Sequence, residues 1–499
     1  MKLTELIGAG DPPRADHPKR DPDIAGLTAD SRAVRPGFLF AALPGARFDG
    51  RCFAAEAAAR GAAAILTDDE AGLDLSPEAG AKLAIVTDPN PRRRLALLAA
   101  RFYGRQPRTI AAVTGTNGKT SVAHFTREIW MAAGHAAASL GTLGVITPSG
   151  RCPGALTTPD PAALHRELAA LAREGIDHVA IEASSHGLAQ FRLDGVAVAA
   201  AAFTNLTRDH LDYHRDMADY RAAKERLFGA LLAPGRPAIL NRDSGEFPRL
   251  STLCHERGHP VLAYGADPAA ELRLVSATPR GRGQDLMLDI FGRPHELFLP
   301  LLGGFQAMNA LAALGLAIAT NVPPETGIAA LAELTGVPGR LQFVAEGEAG
   351  GAIVVDYAHT PDALATVLAA LRPHTPRRLA ALFGCGGERD PGKRALMGRV
   401  AAGAADRVYV TDDNPRSEDP AAIRRAILAG APGAVELGDR RGAIATAIAE
   451  LGPGDVLVIA GKGHESGQIV GDETVPFDDA EIAREIAELR SHGLRRTDS

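Results

Sequence analysis

At 499 residues the chain is too long for a single compact core, and at about 150 residues per domain it implies roughly three. Hydrophobic residues at 46% and charged residues at 23% exclude disorder as the main state, while 5% aromatics and 54 glycines favour α/β layers over an aromatic-rich β-sandwich. The formal charge of -6 excludes a global basic field of the kind that grips a phosphate backbone, so nucleic acid is not an expected partner.

Up to about residue 89, short apolar runs at 37–43 and 62–66 flank an Ala-rich helical segment at 53–60, the pattern of a small α/β unit. Thr87-Asp-Pro-Asn-Pro91 breaks the chain, an amphipathic helix is predicted over 92–103, and Gln106-Pro107 punctuates again, which puts a first boundary near residue 90. A strand at 110–113, helices at 120–133 and 161–174, and strands at 179–181 and 196–203 then alternate as βαβ units of a mostly parallel sheet do. This pattern ends in a helix at 307–320 and a turn at Val337-Pro-Gly339. Beyond it, buried strands at 352–355, 379–383, 407–410 and 456–459, separated by helices, predict a third α/β domain. The polar stretch 495–499 reads as a frayed end.

No apolar run approaches the roughly 20 residues of a membrane span, and the first ten residues lack a signal peptide's basic and then apolar layout, so a cytoplasmic setting is expected. Cys52, Cys152, Cys254 and Cys385 lie far apart with no CxxC pair, which predicts reduced thiols in small buried niches.

The sharpest signal for chemistry is Thr114-Gly-Thr-Asn-Gly-Lys-Thr120, directly after a strand and before a helix. Small residues there let backbone N–H groups wrap a phosphate at the helix N-terminus; Lys119 can neutralise β/γ oxygens and the Thr120 hydroxyl can ligate Mg²⁺. The strict G-x-x-x-x-G-K-[ST] pattern fails, because its first glycine falls at Val113. Glu182-Ala-Ser-Ser-His-Gly187 follows a strand at the carboxyl edge where open α/β sheets bind ligands; Glu182 suits a metal, and its bland reading is a solvated turn residue. Asn205-Leu-Thr-Arg-Asp-His-Leu-Asp212-Tyr-His214 is dense in groups that bind metals or phosphates. Gly384-Cys-Gly-Gly387 fails as a dinucleotide fingerprint because the last glycine of G-x-G-x-x-G falls at Arg389. Arg389 and Lys393 instead offer cations suited to a carboxylate or a transferring phosphoryl group, while Lys462 and His464 read as a solvated turn.

Together with Asp356-Tyr-Ala-His-Thr-Pro-Asp362, the phosphate loop, the Glu182 segment and the Asp209-His-Leu-Asp212 loop resemble the Mur ligase family, the ATP-dependent amino-acid-adding enzymes of peptidoglycan synthesis. Asp30-Ser-Arg32, Leu156-Thr-Thr-Pro159, Asp413-Asn-Pro-Arg416 and Gly461-Lys-Gly-His-Glu465 resemble the members that add meso-diaminopimelate as the third stem-peptide residue. The resemblance implies an α/β fold of three domains: a small N-terminal α/β domain at 1–90 for the UDP substrate, a central P-loop ATPase domain at 91–337 with a mostly parallel sheet, and a C-terminal Rossmann-like domain at 338–499 for the amino acid.

By the same resemblance, Ser31, Ala46, Arg47 and Phe48 meet the UDP end of the nucleotide sugar, and Thr157, Thr158, Ser184, Gln190 and Arg192 its muramoyl-dipeptide part. ATP is implied at Gly115, Thr116, Asn117, Gly118, Lys119, Thr120 and Ser121, with Asn309, Arg340 and Asp356 also around it. Mg²⁺ is implied at Thr120, Glu182, His210 and Lys224, the last as a carbamate; Lys119, Lys224, His210 and Glu182 are the implied catalytic set. Arg389, Asp413, Asn414, Pro415, Arg416, Gly461 and Glu465 are implied around diaminopimelate. In Gly304-Phe-Gln-Ala-Met-Asn309 the chain carries Gln306 where the family pattern has Asn.

The implied reaction joins the γ-carboxylate of D-glutamate in UDP-N-acetylmuramoyl-L-alanyl-D-glutamate to an amine of meso-diaminopimelate through an acyl phosphate, for cell-wall synthesis, and is expected to need domain closure. The expected partners are these small molecules, with no nucleic acid, no membrane and a monomeric chain. A lysine-adding or folate polyglutamyl ligase shares the loop and the reaction class, and a P-loop ATPase that ligates nothing fits the loop alone.

Overall fold

Runs of Val, Ile and Ala make the strands because β-branched and small side chains pack well on both faces of a covered sheet. The computed structural model describes residues 1–8, 20–45, 49–154 and 156–494. Ala46, Arg47 and Phe48, expected at the UDP end, and the expected frayed end at 495–499 lie outside the described residues. Two units make up the chain: Met1–Ala263 with Gly315–Pro323, and Tyr264–Leu314 with Pro324–Ser499.

The first unit opens with four parallel strands in spatial order β1 (Gly26–Thr28), β2 (Phe38–Ala41), β3 (Ala64–Thr67) and β4 (Ala84–Thr87). Leu39, Leu66 and Val86 pack with Leu95 and Leu98 of the helix Pro91–Tyr103. That helix starts where Asn90 accepts from the Arg93 N–H and Pro91 supplies a preset φ; it stops at Gly104, whose φ of 69° suits glycine.

The same unit holds β5 (Thr109–Thr114), β6 (Ala137–Gly141), β7 (Gly144–Thr147), β8 (Gly150–Cys152), β9 (His178–Glu182), β10 (Val198–Phe203) and β11 (Ala238–Asn241), in spatial order β11-β10-β5-β9-β6-β7-β8. The first five in that order are parallel, and β7 and β8 extend the sheet antiparallel. Register puts Phe203 beside Thr114 and Val113 beside Glu182, so the loops leaving β5, β9 and β10 emerge at one edge.

The boundary between units falls within β12 (Val261–Gly265). In the second unit β13 (Leu272–Arg280), β14 (Gly283–Ile290) and β15 (Arg293–Leu299) form an antiparallel ribbon. Its main sheet comprises β16 (Gln342–Glu346), β17 (Ala352–Asp356), β18 (Leu379–Phe383), β19 (Arg407–Val410), β20 (Val435–Glu436) and β21 (Val456–Ala460), in spatial order β16-β17-β21-β18-β19-β20. β16 runs antiparallel and the rest are parallel, with Asp356 beside Ala460 and Phe383 beside Val410 at their carboxyl ends. One face is covered through Val354, Leu368 and Phe383, the other through Val355, Ile444 and Ile459.

The expectation of buried cysteines is corrected. Cys254 and Cys385 are buried, but Cys52 and Cys152 are exposed, because the first lies in the short turn Gly50–Phe53 and the second ends the uncovered edge strand β8. The helix that carries Lys224 runs Met217–Arg226 and passes into a wider turn at Leu227–Leu231, its start fixed by Asp216 accepting from the Asp219 N–H at 2.8 Å.

The second unit buries an ion pair completely: Arg440 donates to Asp479 at 2.8 and 2.7 Å, and Nη2 donates to the Ala460 carbonyl at 3.0 Å. This fastens the helix Asp479–Leu494 to the end of β21. Arg440→Ala would strand a buried carboxylate and should cost about 3–5 kcal/mol. Urea unfolding, followed by circular dichroism, checks this; a loss under about 1 kcal/mol would show that Asp479 finds water or another partner.

Candidate active site

After β5 the chain turns through Gly115 at φ 148°, where an added Cβ would lie 1.8 Å from Thr204 Oγ1, so the position admits only glycine. The loop is then clamped from the end of β10. Thr116 N donates to the Asn205 carbonyl (2.8 Å), Asn117 N to Asn205 Oδ1 (3.0 Å), and Thr204 Oγ1 to the Asn117 carbonyl (2.6 Å). Gly118, at φ 88°, starts the helix Lys119–Ala132 with no side-chain cap. Helices starting at Pro91, Pro161 and Met217 are capped by Asn90, Asp160 and Asp216 instead. The uncapped first-turn N–H groups and the helix dipole therefore face an anion site. Lys119 Nζ lies over the loop, donating to the carbonyls of Gly115 (2.9 Å) and Thr116 (2.7 Å).

Glu182, expected either at a metal or in a solvated turn, is buried and faces the phosphate loop. It accepts from Thr120 Oγ1 (2.9 Å), from Thr142 N (2.8 Å) and from Thr142 Oγ1 (3.2 Å). A Cβ on Gly141 would fall 2.0 Å from Glu182 Oε1, so the end of β6 must be glycine for the carboxylate to fit. A carboxylate beside a hydroxyl at the mouth of the loop is a hard oxygen donor pair, which suits Mg²⁺.

Lys224 comes from the helix Met217–Arg226 and is buried with Nζ donating to the Gly115 carbonyl at 2.6 Å and lying 4.4 Å from the Tyr220 ring centroid. Burial pulls its pKa down to about 6, the Lys119 charge adds to the drop, and Asp209 opposes it. The amine is therefore largely neutral at pH 7. Tyr220 hydrogen-bonds its hydroxyl to Thr116 Oγ1 at 3.1 Å, and burial pushes its pKa up to about 12. His210, at φ 53°, packs edge-on to His186 with centroids 4.9 Å apart, and burial lowers its pKa. Burial first, then His210 and His214, bring the His186 pKa down to about 4, so the His186 imidazole is uncharged at neutral pH.

Thr157, Thr158, Ser184, Gln190 and Arg192 form one connected group beside Glu182. Thr157 and Thr142 share a hydroxyl hydrogen bond at 3.0 Å, and Thr158 donates to the Glu182 carbonyl (2.8 Å) while lying 3.0 Å from Ser184 Oγ. Arg192 donates to the Thr158 carbonyl (2.6 Å) and to Gln190 Oε1 (2.7 Å), and Gln190 donates to the Tyr213 hydroxyl (3.1 Å). Ser31 is not in this group: its hydroxyl donates to Glu56 at 3.1 Å beside the first sheet. Ser121 is buried on the loop helix. Sequence reasoning assigned no role to Thr142, Thr204, Tyr220 or His186; the four-residue spacing of His210 and His214 was the available signal for the imidazole cluster.

In the second unit Asn309 donates to Gln306 Oε1 at 2.9 Å, so the glutamine at the unexpected position is the asparagine's buried partner. Asp356 accepts from Leu341 N and Ala358 N, each at 2.8 Å; burial raises its pKa, and Arg340, stacked on Tyr357 at 4.7 Å, opposes the rise. Loops from β18, β19 and β21 join Asp413, Asn414, Arg416, Gly461 and Glu465. A Cβ on Gly461 would meet Asp413 Oδ2 at 2.6 Å, and Asn414 Nδ2 donates to Glu465 at 3.0 Å. Arg416 sits at φ 52° with Nη1 donating to the Gly387 carbonyl at 2.8 Å, and Arg389 Cγ and Arg416 Nη1 both approach Gly386. Lys462, read from sequence as a solvated turn, is fully buried and donates to Asn414 Oδ1 (3.0 Å) and Glu465 (3.2 Å), because the loop folds back over it.

Family models match three stretches of the chain: Mur ligase family, catalytic domain, at 23–103; Mur ligase middle domain at 113–317; and Mur ligase, glutamate ligase domain, at 339–463. The UDP-N-acetylmuramoyl-L-alanyl-D-glutamate-2,6-diaminopimelate ligase of Caulobacter vibrioides is 54% identical over 470 residues, covering 92% of this chain and 94% of its own. The Bradyrhizobium diazoefficiens protein of the same name is 52% identical over 487 residues, covering 96% and 98%. A solved structure of a ligase of that name covers 99% of both chains at 33% identity with a TM-score of 0.73. The Thermotoga maritima MurF ligase in complex with ADP shares the fold at 20% identity and a TM-score of 0.58, covering 95% and 98%.

The displaced pKa of Lys224 has a consequence for stability. Between about pH 6 and its ordinary 10.5, the unfolded chain binds a proton there that the folded chain does not, so the penalty on folding shrinks as pH rises through that window. Lys224→Met, in buffer free of carbon dioxide, should raise the thermal midpoint at pH 7 and lose that advantage as pH approaches 10. A midpoint difference that stays flat across the window would show that the folded lysine titrates normally.

Proposed function

Because the chain belongs to the Mur ligase family, we propose that it adds meso-diaminopimelate to UDP-N-acetylmuramoyl-L-alanyl-D-glutamate, with ATP converted to ADP and phosphate, as a step of peptidoglycan synthesis. The observation that carries this reading is near-full-length identity of about half to ligases of that name, with a phosphate loop, a buried Glu182 and the Asp413-Asn-Pro-Arg416 loop all present. The family's three-domain architecture maps best as 1–90 for the UDP substrate, 91–337 for ATP and 338–499 for the amino acid.

A carboxylate is a poor electrophile, since its charge repels nucleophiles and oxide cannot leave. A γ-carboxylate oxygen of the substrate therefore attacks the γ-phosphorus of ATP, the bond to the β-phosphate oxygen breaks, and ADP departs. The amine of diaminopimelate then attacks the acyl carbon, loses a proton and expels phosphate. Two anions must meet in the first step, and the loop N–H groups and Lys119 offset their repulsion. Thr120, Glu182 and His210 would hold Mg²⁺, which when bound supplies positive charge to the phosphates. Thr157, Thr158, Ser184, Gln190 and Arg192 suit the muramoyl dipeptide, and Ser31 the UDP end.

Lys224 is proposed to act as a carbamate. Its neutral, buried amine attacks the carbon of CO₂ and sheds a proton, which turns a repulsion against Lys119 into an attraction and adds an oxygen donor to the site. Around the amino acid, Arg416 is proposed to bind the far carboxylate of diaminopimelate through the guanidinium nitrogens not used on Gly387, with Arg389 nearby and Pro415 stiffening the loop. Asp413, Asn414, Gly461 and Glu465 would surround the far ammonium. No helix among the described residues is long and apolar enough to cross a membrane, and use of ATP favours a cytoplasmic setting; a monomer would suffice for every role assigned.

Phosphate release measured with each substrate left out in turn tests the reaction: release should require ATP, the nucleotide sugar and diaminopimelate together, and release from ATP alone would overturn it. Lys119→Ala should leave a folded chain with activity down by more than about tenfold, a barrier increase above about 1.4 kcal/mol. Comparing kcat/KM for meso-diaminopimelate and lysine tests the amino-acid site. Wild type should favour diaminopimelate strongly and Arg416→Ala should erode the ratio; an unchanged ratio would remove Arg416 from selectivity, leaving the lysine-adding reading in contention.

A further inference from the structure

At the opposite end of strands β6 and β9 from Glu182, the chain gathers two imidazoles and a carboxylate. His135 lies in the connection from the helix Lys119–Ala132 to β6, and Asp177 and His178 stand at the start of β9. β6 and β9 are neighbours, with Ala137 paired to His178, so the register itself brings the three residues together. Main-chain hydrogen bonds fix all three: His135 N donates to the Trp130 carbonyl at 3.0 Å, and Asp177 N and His178 N donate to the Ala136 carbonyl at 3.0 and 3.2 Å. One ligand atom from each of the three side chains lies within 4.8 Å of the others. The two imidazole rings are 4.0 Å apart, and His178 Nδ1 is 2.8 Å from Asp177 Oδ1.

We propose that His135, Asp177 and His178 form a binding site for a divalent transition metal ion of the zinc class, separate from the nucleotide site. Two imidazole rings stand 4.0 Å apart there, and a ring nitrogen of each can ligate a metal through its lone pair. Two nitrogens and one carboxylate oxygen are borderline donors that select Zn²⁺, Co²⁺ or Ni²⁺ over Mg²⁺, and water would complete a tetrahedron. Tetrahedral bonds of about 2.0–2.2 Å need ligand atoms roughly 3.3–3.6 Å apart, which side-chain rotation of His135 can reach because that residue and Asp177 are only half-buried. Arg108 is the nearby charge acting against a cation, and the Asp177 carboxylate opposes it. His178 and Glu182 lie at opposite ends of β9, roughly 13 Å apart at about 3.3 Å per residue, so the ion would act as a clip joining a helix end to a strand start and would not take part in ligation.

The chain's single tryptophan is a built-in reporter, since Trp130 lies 5.0 Å from His178. Co²⁺ titrated into the full-length protein in excess Mg²⁺ should quench Trp130 fluorescence saturably, at one ion per chain, and Zn²⁺ should reverse the quenching. His135→Gln and Asp177→Asn should each weaken Co²⁺ binding at least tenfold while phosphate release keeps its wild-type rate, and Glu182→Gln should leave the quenching unchanged. Circular dichroism checks that the variants fold. Quenching in wild type that never saturates, that Zn²⁺ does not reverse, or that is lost in Glu182→Gln but kept in His135→Gln, would overturn the site.

Discussion

The candidate active site rests on the register of parallel strands. Val113 stands beside Glu182, and Phe203 beside Thr114, so three loops leave the sheet at the same height. A slip of one residue would turn Glu182 to the other face of the sheet and break the clamp of Thr204 and Asn205 on the phosphate loop. Glycines at 115 and 141 complete the constraint: the first allows Thr204 to press on the loop, and the second leaves room for the Glu182 carboxylate. The geometry of the candidate site is a property of this sheet edge, whose paired strands fix the point from which each polar side chain projects.

The same edge concentrates like charge. Lys119 and Lys224 both direct their nitrogens at the Gly115 carbonyl, at 2.9 and 2.6 Å. Burying two ammonium groups this close is unfavourable, and the fold resolves it by lowering the proton affinity of the more buried one. Of the two, Lys119 is the more accessible and Lys224 the one whose burial disfavours the charged form. The second unit resolves a similar problem differently. Lys462 is buried but keeps Glu465 and Asn414 Oδ1 as partners, and Arg440 keeps Asp479.

What the sequence revealed and what it hid follow from the range of each interaction. The phosphate loop was legible because strand, glycines, Lys119 and helix are contiguous, and the strands at 379–383 and 407–410 were legible because fully buried runs announce themselves. Glu182 was legible only as a residue after a strand, because its partners Thr120 and Thr142 lie 62 and 40 residues away. Lys462 and Arg440 were hidden for the same reason: a charged residue looks solvated until distant partners are placed, Asn414 lying 48 residues from Lys462 and Asp479 lying 39 from Arg440. The exposed Cys52 and Cys152 fail the rule that cysteines are buried because their elements are a surface turn and an edge strand, and short local pattern does not separate these from covered ones.

In the second unit, β21 is the last strand of the main sheet in sequence yet lies between β17 and β18. During synthesis the chain must therefore expose two half-sheets whose facing edges remain unpaired for about 100 residues after β17 emerges, roughly 5–20 s at bacterial elongation rates. Open parallel edges of Val and Ile are templates for wrong pairing, so this stretch is the period of greatest aggregation risk for a nascent chain. A chain terminated before Val456 could not close the gap at all, and would leave the loops after Asp356 and Phe383 without the strand that sets their spacing. Completion of the second unit's main sheet thus waits for β21, after which Asp479 can pair with Arg440 and lock it in place.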